Sequence, residues 1–232
     1  MVAIKRFDDR TAMTQALAAD TAAALEAGLR ARGAAAWAVS GGSTPRPLFA
    51  RMAGRALDWS HIHVALVDER WVDEGHDRSN AAMVRRELLR DHAASAPFTT
   101  MKRDHATPAK AAAEVNADYE ALPLPFDSVL LGMGPDGHTA SLFPDAHGLE
   151  EAMDPEGSRV VAAIRAHQSD VTGDEVDRMT LTLPPILAAG HVAVMLTGEA
   201  KFTALERTLE TDLPFARVMR ALGDRATVYW AP

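Results

Sequence analysis

Ala36-Trp-Ala-Val-Ser-Gly-Gly-Ser-Thr-Pro-Arg46 runs from a short apolar strand through a glycine turn into the start of a helix. Residues 36–39 show no polar alternation, as expected of a strand covered on both faces. Ser40-Gly-Gly42 stops the strand, and Pro45 suits the first position of a helix predicted over 45–55. Upstream, Met13, Leu17, Thr21, Leu25 and Leu29 recur every four residues, predicting an amphipathic helix over 11–32 that ends at Gly33. Downstream the alternation continues. Ile62-His-Val-Ala-Leu-Val67 and Phe126-Asp-Ser-Val-Leu-Leu131 read as strands, with helices predicted at 79–91, 107–121, 199–210 and 214–221. Further strands are predicted at 159–164, 179–183, 191–197 and 226–230, placing Met179, Leu181 and Leu183 in the core. Residues 145–158, rich in Asp, Glu and Gly, read as a solvated surface loop. The expected fold is α/β and Rossmann-like, with a mainly parallel central sheet flanked by helices.

Composition bounds what such a chain can do. Its 232 residues are 47% apolar, enough for one sizeable core and too apolar for a disordered chain. No repeat, low-complexity tract or linker divides it, so residues 1–232 are expected to form a single domain. Lys and Arg number 24 against 32 Asp and Glu, a net charge of -8. That balance argues against general nucleic-acid or anionic-membrane binding, both of which need a basic footprint. The absence of cysteine excludes disulfides, thiolate nucleophiles and Cys-ligated metals. Charges at Lys5, Arg6, Asp8, Asp9 and Arg10 leave no apolar signal segment, and no run approaches the roughly 18 apolar residues of a membrane span. A cytoplasmic protein is expected.

Parallel sheets bind ligands beyond the carboxyl ends of their strands. Three unusual segments fall there: 40–46, 68–71 and 132–138. In the first, Gly41, Gly42 and the helix start offer backbone N–H groups and a positive dipole end to a phosphate. Ser43 and Thr44 can add hydroxyl donors or cap the helix. The segment lacks the Gly-Lys-Ser/Thr ending of a Walker A loop, and Ser40-Gly-Gly-Ser43 is no nucleophile elbow. A bare capped turn would look the same. In the third, Gly132, Gly134 and Gly137 let the backbone turn sharply, and Asp136 lies two residues before His138. A carboxylate there can orient an imidazole acting as general base. Asp68-Glu-Arg70 follows a strand directly and is either a surface ion pair or part of the same site. Lys201, opening a helix at that edge, is either a phosphate partner or an exposed lysine. His61 and His63 share a strand face without a third ligand nearby, so no metal site is expected.

Taken in chain order, these motifs resemble the 6-phosphogluconolactonase family. They are Ser-Gly-Gly-Ser-Thr-Pro at 40–45, Asp-Glu-Arg-Trp-Val at 68–72, Arg78-Ser-Asn80, Gly-Met-Gly-Pro-Asp-Gly-His-Thr-Ala-Ser-Leu-Phe-Pro at 132–144 and Arg178-Met-Thr-Leu-Thr-Leu-Pro184. Leu196-Thr-Gly-Glu-Ala-Lys201 and Val228-Tyr-Trp-Ala-Pro232 extend the match, while Ala81 stands where many members carry Tyr. The resemblance implies hydrolysis of a 6-phosphogluconolactone without a cofactor. It also implies a fold shared with glucosamine-6-phosphate deaminase, ribose-5-phosphate isomerase and CoA transferases. By the same resemblance His138 is the general base with Asp136 beside it, and Arg70 faces the lactone. Gly41, Gly42, Ser43, Thr44, Asp68 and Lys201 then line the phosphate and substrate side, with Arg178 and Arg46 contributing. The expected partner is a small sugar phosphate lactone, and the expected assembly a monomer or small homo-oligomer. The deaminase is the nearer alternative, but its Glu five residues after the His is Phe143 here. A non-catalytic sugar-phosphate sensor is the other, and the chain carries no separate DNA-binding module.

Overall fold

The computed structural model describes residues 2–232. The described residues form ten strands and eight α-helices, largely interleaved along the chain. The strands are β1 (Ala3–Arg6), β2 (Ala35–Val39), β3 (Ile62–Leu66), β4 (Asp68–Arg70), β5 (Phe98–Thr99), β6 (Ser128–Leu131), β7 (Val161–Arg165), β8 (Asp177–Leu181), β9 (His191–Thr197) and β10 (Ala226–Ala231). The helices are α1 (Arg10–Arg32), α2 (Arg46–Ala53), α3 (Asn80–Glu87), α4 (Pro108–Glu120), α5 (Leu149–Ala152), α6 (Leu183–Ala188), α7 (Glu199–Leu209) and α8 (Pro214–Leu222).

Seven strands form the central sheet in the order β1-β10-β9-β6-β2-β3-β5, every neighbouring pair parallel. β2 and β6 are buried along their whole length, which is why their sequences lack polar alternation. α1 begins where Asp9 accepts a hydrogen bond from the Ala12 N–H (2.8 Å) and ends at Gly33, left-handed at φ 74°, whose N–H reaches the Leu29 carbonyl. Its Met13, Leu17, Thr21 and Leu25 are buried as the four-residue spacing predicts.

Three strands, β4-β8-β7, form a smaller antiparallel sheet that the sequence reading does not contain. Val67 joins the two sheets: its N–H bonds the Val39 carbonyl (3.0 Å) in the large sheet, and its carbonyl accepts from Leu181 (2.7 Å) in the small one. The charged triplet 68–70 is therefore a strand. Two more differences concern ends. Residues 3–6, read only as a charged stretch without an apolar signal segment, pair with β10 as an exposed edge strand. The helix predicted over 79–91 stops at Glu87, and a short 3-10 turn follows at Asp91–Ser95. Within 145–158, Leu149, Ala152 and Met153 are buried and α5 forms, so that segment is only partly a solvated loop.

Candidate active site

The carboxyl ends of β2, β6 and β9 meet at a crevice of about 230 Å³. Ser40, Gly41, Thr44 and Pro45 form one wall, from the turn between β2 and α2. Asp68, Arg70 and Asn80 form the second, and Gly132, Met133, Gly134, His138 and Ala140 the third. Thr197 and Lys201, at the end of β9 and in the first turn of α7, close the far side.

His138 lies in the loop after β6. Its Nδ1 is 2.5 Å from Asp136 Oδ1, and the same carboxylate oxygen accepts from the His138 backbone N–H at 3.3 Å. Burial by itself would raise the Asp136 pKa, but the hydrogen bond from His138 and its charge outweigh that and hold it below the usual carboxylate range. With Nδ1 engaged, Nε2 is the nitrogen left for proton transfer.

Gly134 in this loop is sterically required. A Cβ on Gly134 would stand 2.0 Å from His138 Nδ1 and 2.6 Å from Asp136 Oδ1, so any larger residue evicts the imidazole. Gly134→Ala is expected to lower kcat about a hundredfold while shifting the melting temperature little, because the side chains rather than the backbone must yield. Unchanged turnover in that variant would show that the pair tolerates displacement. Gly41 is equally confined: a Cβ there would meet Asn80 Oδ1 at 1.8 Å. The glycine turn after β2 thus packs directly on the start of α3.

The second wall is built around buried charge. Asp68 accepts from Ser141 Oγ (2.6 Å), and Asn80 Nδ2 donates to the Asp68 carbonyl (2.8 Å). Glu69 is fully buried, and its carboxylate accepts the backbone N–H groups of Arg70, Asn80 and Ala81 at 2.8–2.9 Å. Ser79 Oγ lies 3.3 Å from the same carboxylate. Burial pushes the Glu69 carboxyl up to about 7 against the pull of those donors. Arg70 is held by one bond, Nη1 to the Arg78 carbonyl (2.6 Å), and its buried Nε has no hydrogen-bond partner among the described residues.

Lys201 is half-buried and donates to the Met133 carbonyl (2.7 Å), which leaves two of its three N–H bonds for a ligand. Desolvation lowers its pKa, partly offset by the Asp136 charge.

Beyond geometry, the chain matches the family model described as "Glucosamine-6-phosphate isomerases/6-phosphogluconolactonase" over residues 8–230. The chain belongs to this family. Among its relatives is the 6-phosphogluconolactonase of Rhizobium meliloti (strain 1021), 40% identical over 230 residues and covering 97% of each chain. A 6-phosphogluconolactonase crystal structure from Shewanella baltica OS155 superposes with a TM-score of 0.91 at 34% identity, over 100% of this chain and 98% of that one. A monomeric glucosamine-6-phosphate deaminase, 14% identical with a TM-score of 0.77, shares the fold over 99% of this chain and 97% of its own.

Within the 6-phosphogluconolactonase and isomerase family framework, the candidate residues divide by position. Gly41, Thr44, Asp68, Arg70, His138 and Lys201 line the crevice, and Asp136 stands behind His138. Gly42 and Ser43 are exposed in the turn, and Arg46 is exposed at the first residue of α2; none of the three lines the crevice. Arg178 does not reach it either. This arginine is 2% exposed, donates to the carbonyls of Glu175 (2.6 Å) and Thr172 (2.9 Å), and lies over the Phe143 ring. Its burial lowers its pKa to about 10. His61 is bound to Asp58 on the surface (2.9 Å), and no group of three metal-ligating side chains occurs among the described residues. Asn80 and Glu69 were not assigned a role from sequence; the adjacent Ser79-Asn80 at a helix start was the available signal.

Proposed function

We propose that the chain hydrolyses 6-phospho-D-glucono-1,5-lactone to 6-phospho-D-gluconate, the lactone-opening step of the oxidative pentose phosphate pathway, with His138 as general base. The observation that carries this reading is the Asp136–His138 pair set in a crevice whose far wall presents Lys201. In the reaction His138 Nε2 takes a proton from a water attacking the lactone carbonyl carbon. Arg70 donates to the oxyanion as it forms, and the imidazolium then protonates the departing ring oxygen. Asp136 keeps the imidazole in the tautomer that does this and stabilises its charged form. No covalent intermediate is needed, because the lactone is an activated ester. General-base assistance supplies about 10²–10⁴-fold and one oxyanion donor about 10²–10³-fold.

The phosphate belongs, on this reading, between Lys201 and the Gly41–Thr44 turn, where the starts of α2 and α7 add positive dipole ends. Lys201→Met is expected to raise KM about tenfold to a hundredfold with a smaller loss in kcat, the scale of one charge-assisted hydrogen bond. The measurement is initial rates against freshly generated lactone, coupled to oxidation of the product and corrected for spontaneous opening. An unchanged KM would move the phosphate elsewhere.

A deaminase reading is disfavoured by Phe143, an apolar side chain 4% exposed where ring opening would call for a carboxylate. Ammonia release from glucosamine 6-phosphate without lactone hydrolysis would reverse the assignment. Saturable product binding with no rate enhancement would favour a sensor. We take the whole chain as one catalytic unit, monomeric or a small homo-oligomer, in the cytoplasm; no described helix is long and apolar enough to cross a membrane.

A further inference from the structure

One hydrogen bond at Nδ1 fixes a point on an imidazole but leaves its plane free to pivot. The plane of His138 is met by another side chain. Phe143, 4% exposed, places its ring centroid 4.2 Å from that of His138, with the two planes inclined at 32°. Arg178 in turn lies over the Phe143 ring, its guanidinium carbon 5.3 Å from the centroid. Arg178 cannot swing away easily, since its Nε and Nη2 are bonded to the Glu175 and Thr172 carbonyls.

We propose that Phe143 is a positioning residue for His138, holding the imidazole plane so that Nε2 points into the crevice, and that Arg178 braces Phe143 from the second sheet. The loop carrying both rings is built to keep them in register. Its backbone turns through Ala140 in the left-handed region (φ 49°), Thr139 Oγ1 bonds the Gly132 carbonyl (2.9 Å) and Ser141 Oγ bonds Asp68 (2.6 Å). Asp136 restrains rotation within the imidazole plane and Phe143 restrains tilt out of it. Together they leave the imidazole one orientation. A flat ring is required because an aliphatic side chain of similar volume does not offer a plane to stack against. The same π face also suits the imidazolium that forms during turnover. This role gives Arg178 a function away from the phosphate.

The proposal rests on the lactonase reading for its kinetics but not for its spectroscopy, so two readouts are needed. Phe143→Leu, Phe143→Met and Phe143→Tyr are compared with the wild type by steady-state kinetics and by the downfield proton resonance of the Asp136–His138 hydrogen bond. Phe143→Leu is expected to lower kcat about tenfold to a hundredfold, with KM within about twofold, and to broaden the downfield proton into solvent exchange. Phe143→Tyr restores both. Should the leucine variant fail to fold, Phe143→Met, unbranched and more adaptable in shape, carries the same comparison. A folded Leu or Met variant with wild-type kcat and a sharp downfield proton overturns the proposal. So does a tyrosine variant as impaired as the leucine one at equal melting temperature. If the wild type opens no lactone, the lactonase reading fails, and the resonance alone decides whether Phe143 positions His138.

Discussion

Replacing His138 by alanine lowers kcat for lactone opening by about 10²–10⁴-fold and leaves the fold intact. Both halves of that result follow from the loop. On the proposed reading the proton transfer runs through Nε2, and on its own wall, beside Gly132, Met133, Gly134 and Ala140, His138 is the one side chain that can take a proton. The loop itself is closed by backbone bonds, Gly134 N–H to the His138 carbonyl (2.9 Å) and Gly137 N–H to the Gly134 carbonyl (3.1 Å), which survive the substitution. What the variant loses in stability is the partner of Asp136. A carboxyl held below its ordinary pKa contributes stability that is present above the ordinary value and lost as the pH falls through the lowered one. The difference in melting temperature between wild type and variant is therefore expected at neutral pH and vanishes in acid. Thermal melts from pH 3 to 8 beside lactone assays test both, and near-wild-type turnover in a folded His138→Ala protein would remove the general base from this histidine.

The second large effect is expected at a residue that touches no substrate. Glu69→Ala orphans the buried N–H groups of Arg70, Asn80 and Ala81. Leaving buried donors unpaired costs about 1–3 kcal/mol each, less where water enters the space, so a loss on the order of 3 kcal/mol or more is expected. For a chain of this size that corresponds to a melting temperature lower by roughly 10 °C. Catalysis falls as well, because the carboxylate fixes the segment whose Arg78 carbonyl holds Arg70 and whose Asn80 packs on Gly41. The pH dependence has the opposite sign to that of Asp136. Burial raises Glu69 from 4.5 to about 7, so folding takes up a proton there. Its contribution is complete below about pH 4.5 and is lost as the pH rises through about 7. The gap between wild type and Glu69→Ala should be widest below about pH 4.5 and narrower at pH 8. A gap that widens with pH would mean that the ionised form is the one the fold prefers.

What the sequence disclosed depended on whether a residue's environment leaves a pattern. Strands such as 62–67 and 126–131 are largely buried and mostly apolar, without regular polar alternation, so the parallel sheet was legible. The charged strand 68–70 was not. Three consecutive charges read as solvent, and only the fold reveals that the backbone N–H groups of Asn80 and Ala81 close on Glu69. β1 was missed for the opposite reason: it is exposed along its whole length, so nothing in Ala-Ile-Lys-Arg marks it as paired. At the site, Asp136 and His138 sit two residues apart and were visible together. Arg178 enters the substrate side only through the family resemblance; its carbonyl partners at Thr172 and Glu175 depend on how the loop just before it folds back. Phe143 served only to argue against a deaminase, since a stacking contact has no sequence signature.

The strand order of the large sheet also bears on how the molecule reaches activity. β1 lies against β10, so Ala3 pairs with Thr227 almost a full chain length away, and the crevice draws on segments from Ser40 to Lys201. Contacts this distant in sequence form slowly, because long loops must close before any of them is rewarded. Helices such as α1 can form early in refolding, whereas Lys201 cannot face His138 until β9 has joined β6. Recovered turnover would therefore trail the recovery of helical signal, and it would time the assembly of the centre of the sheet rather than the collapse of the chain.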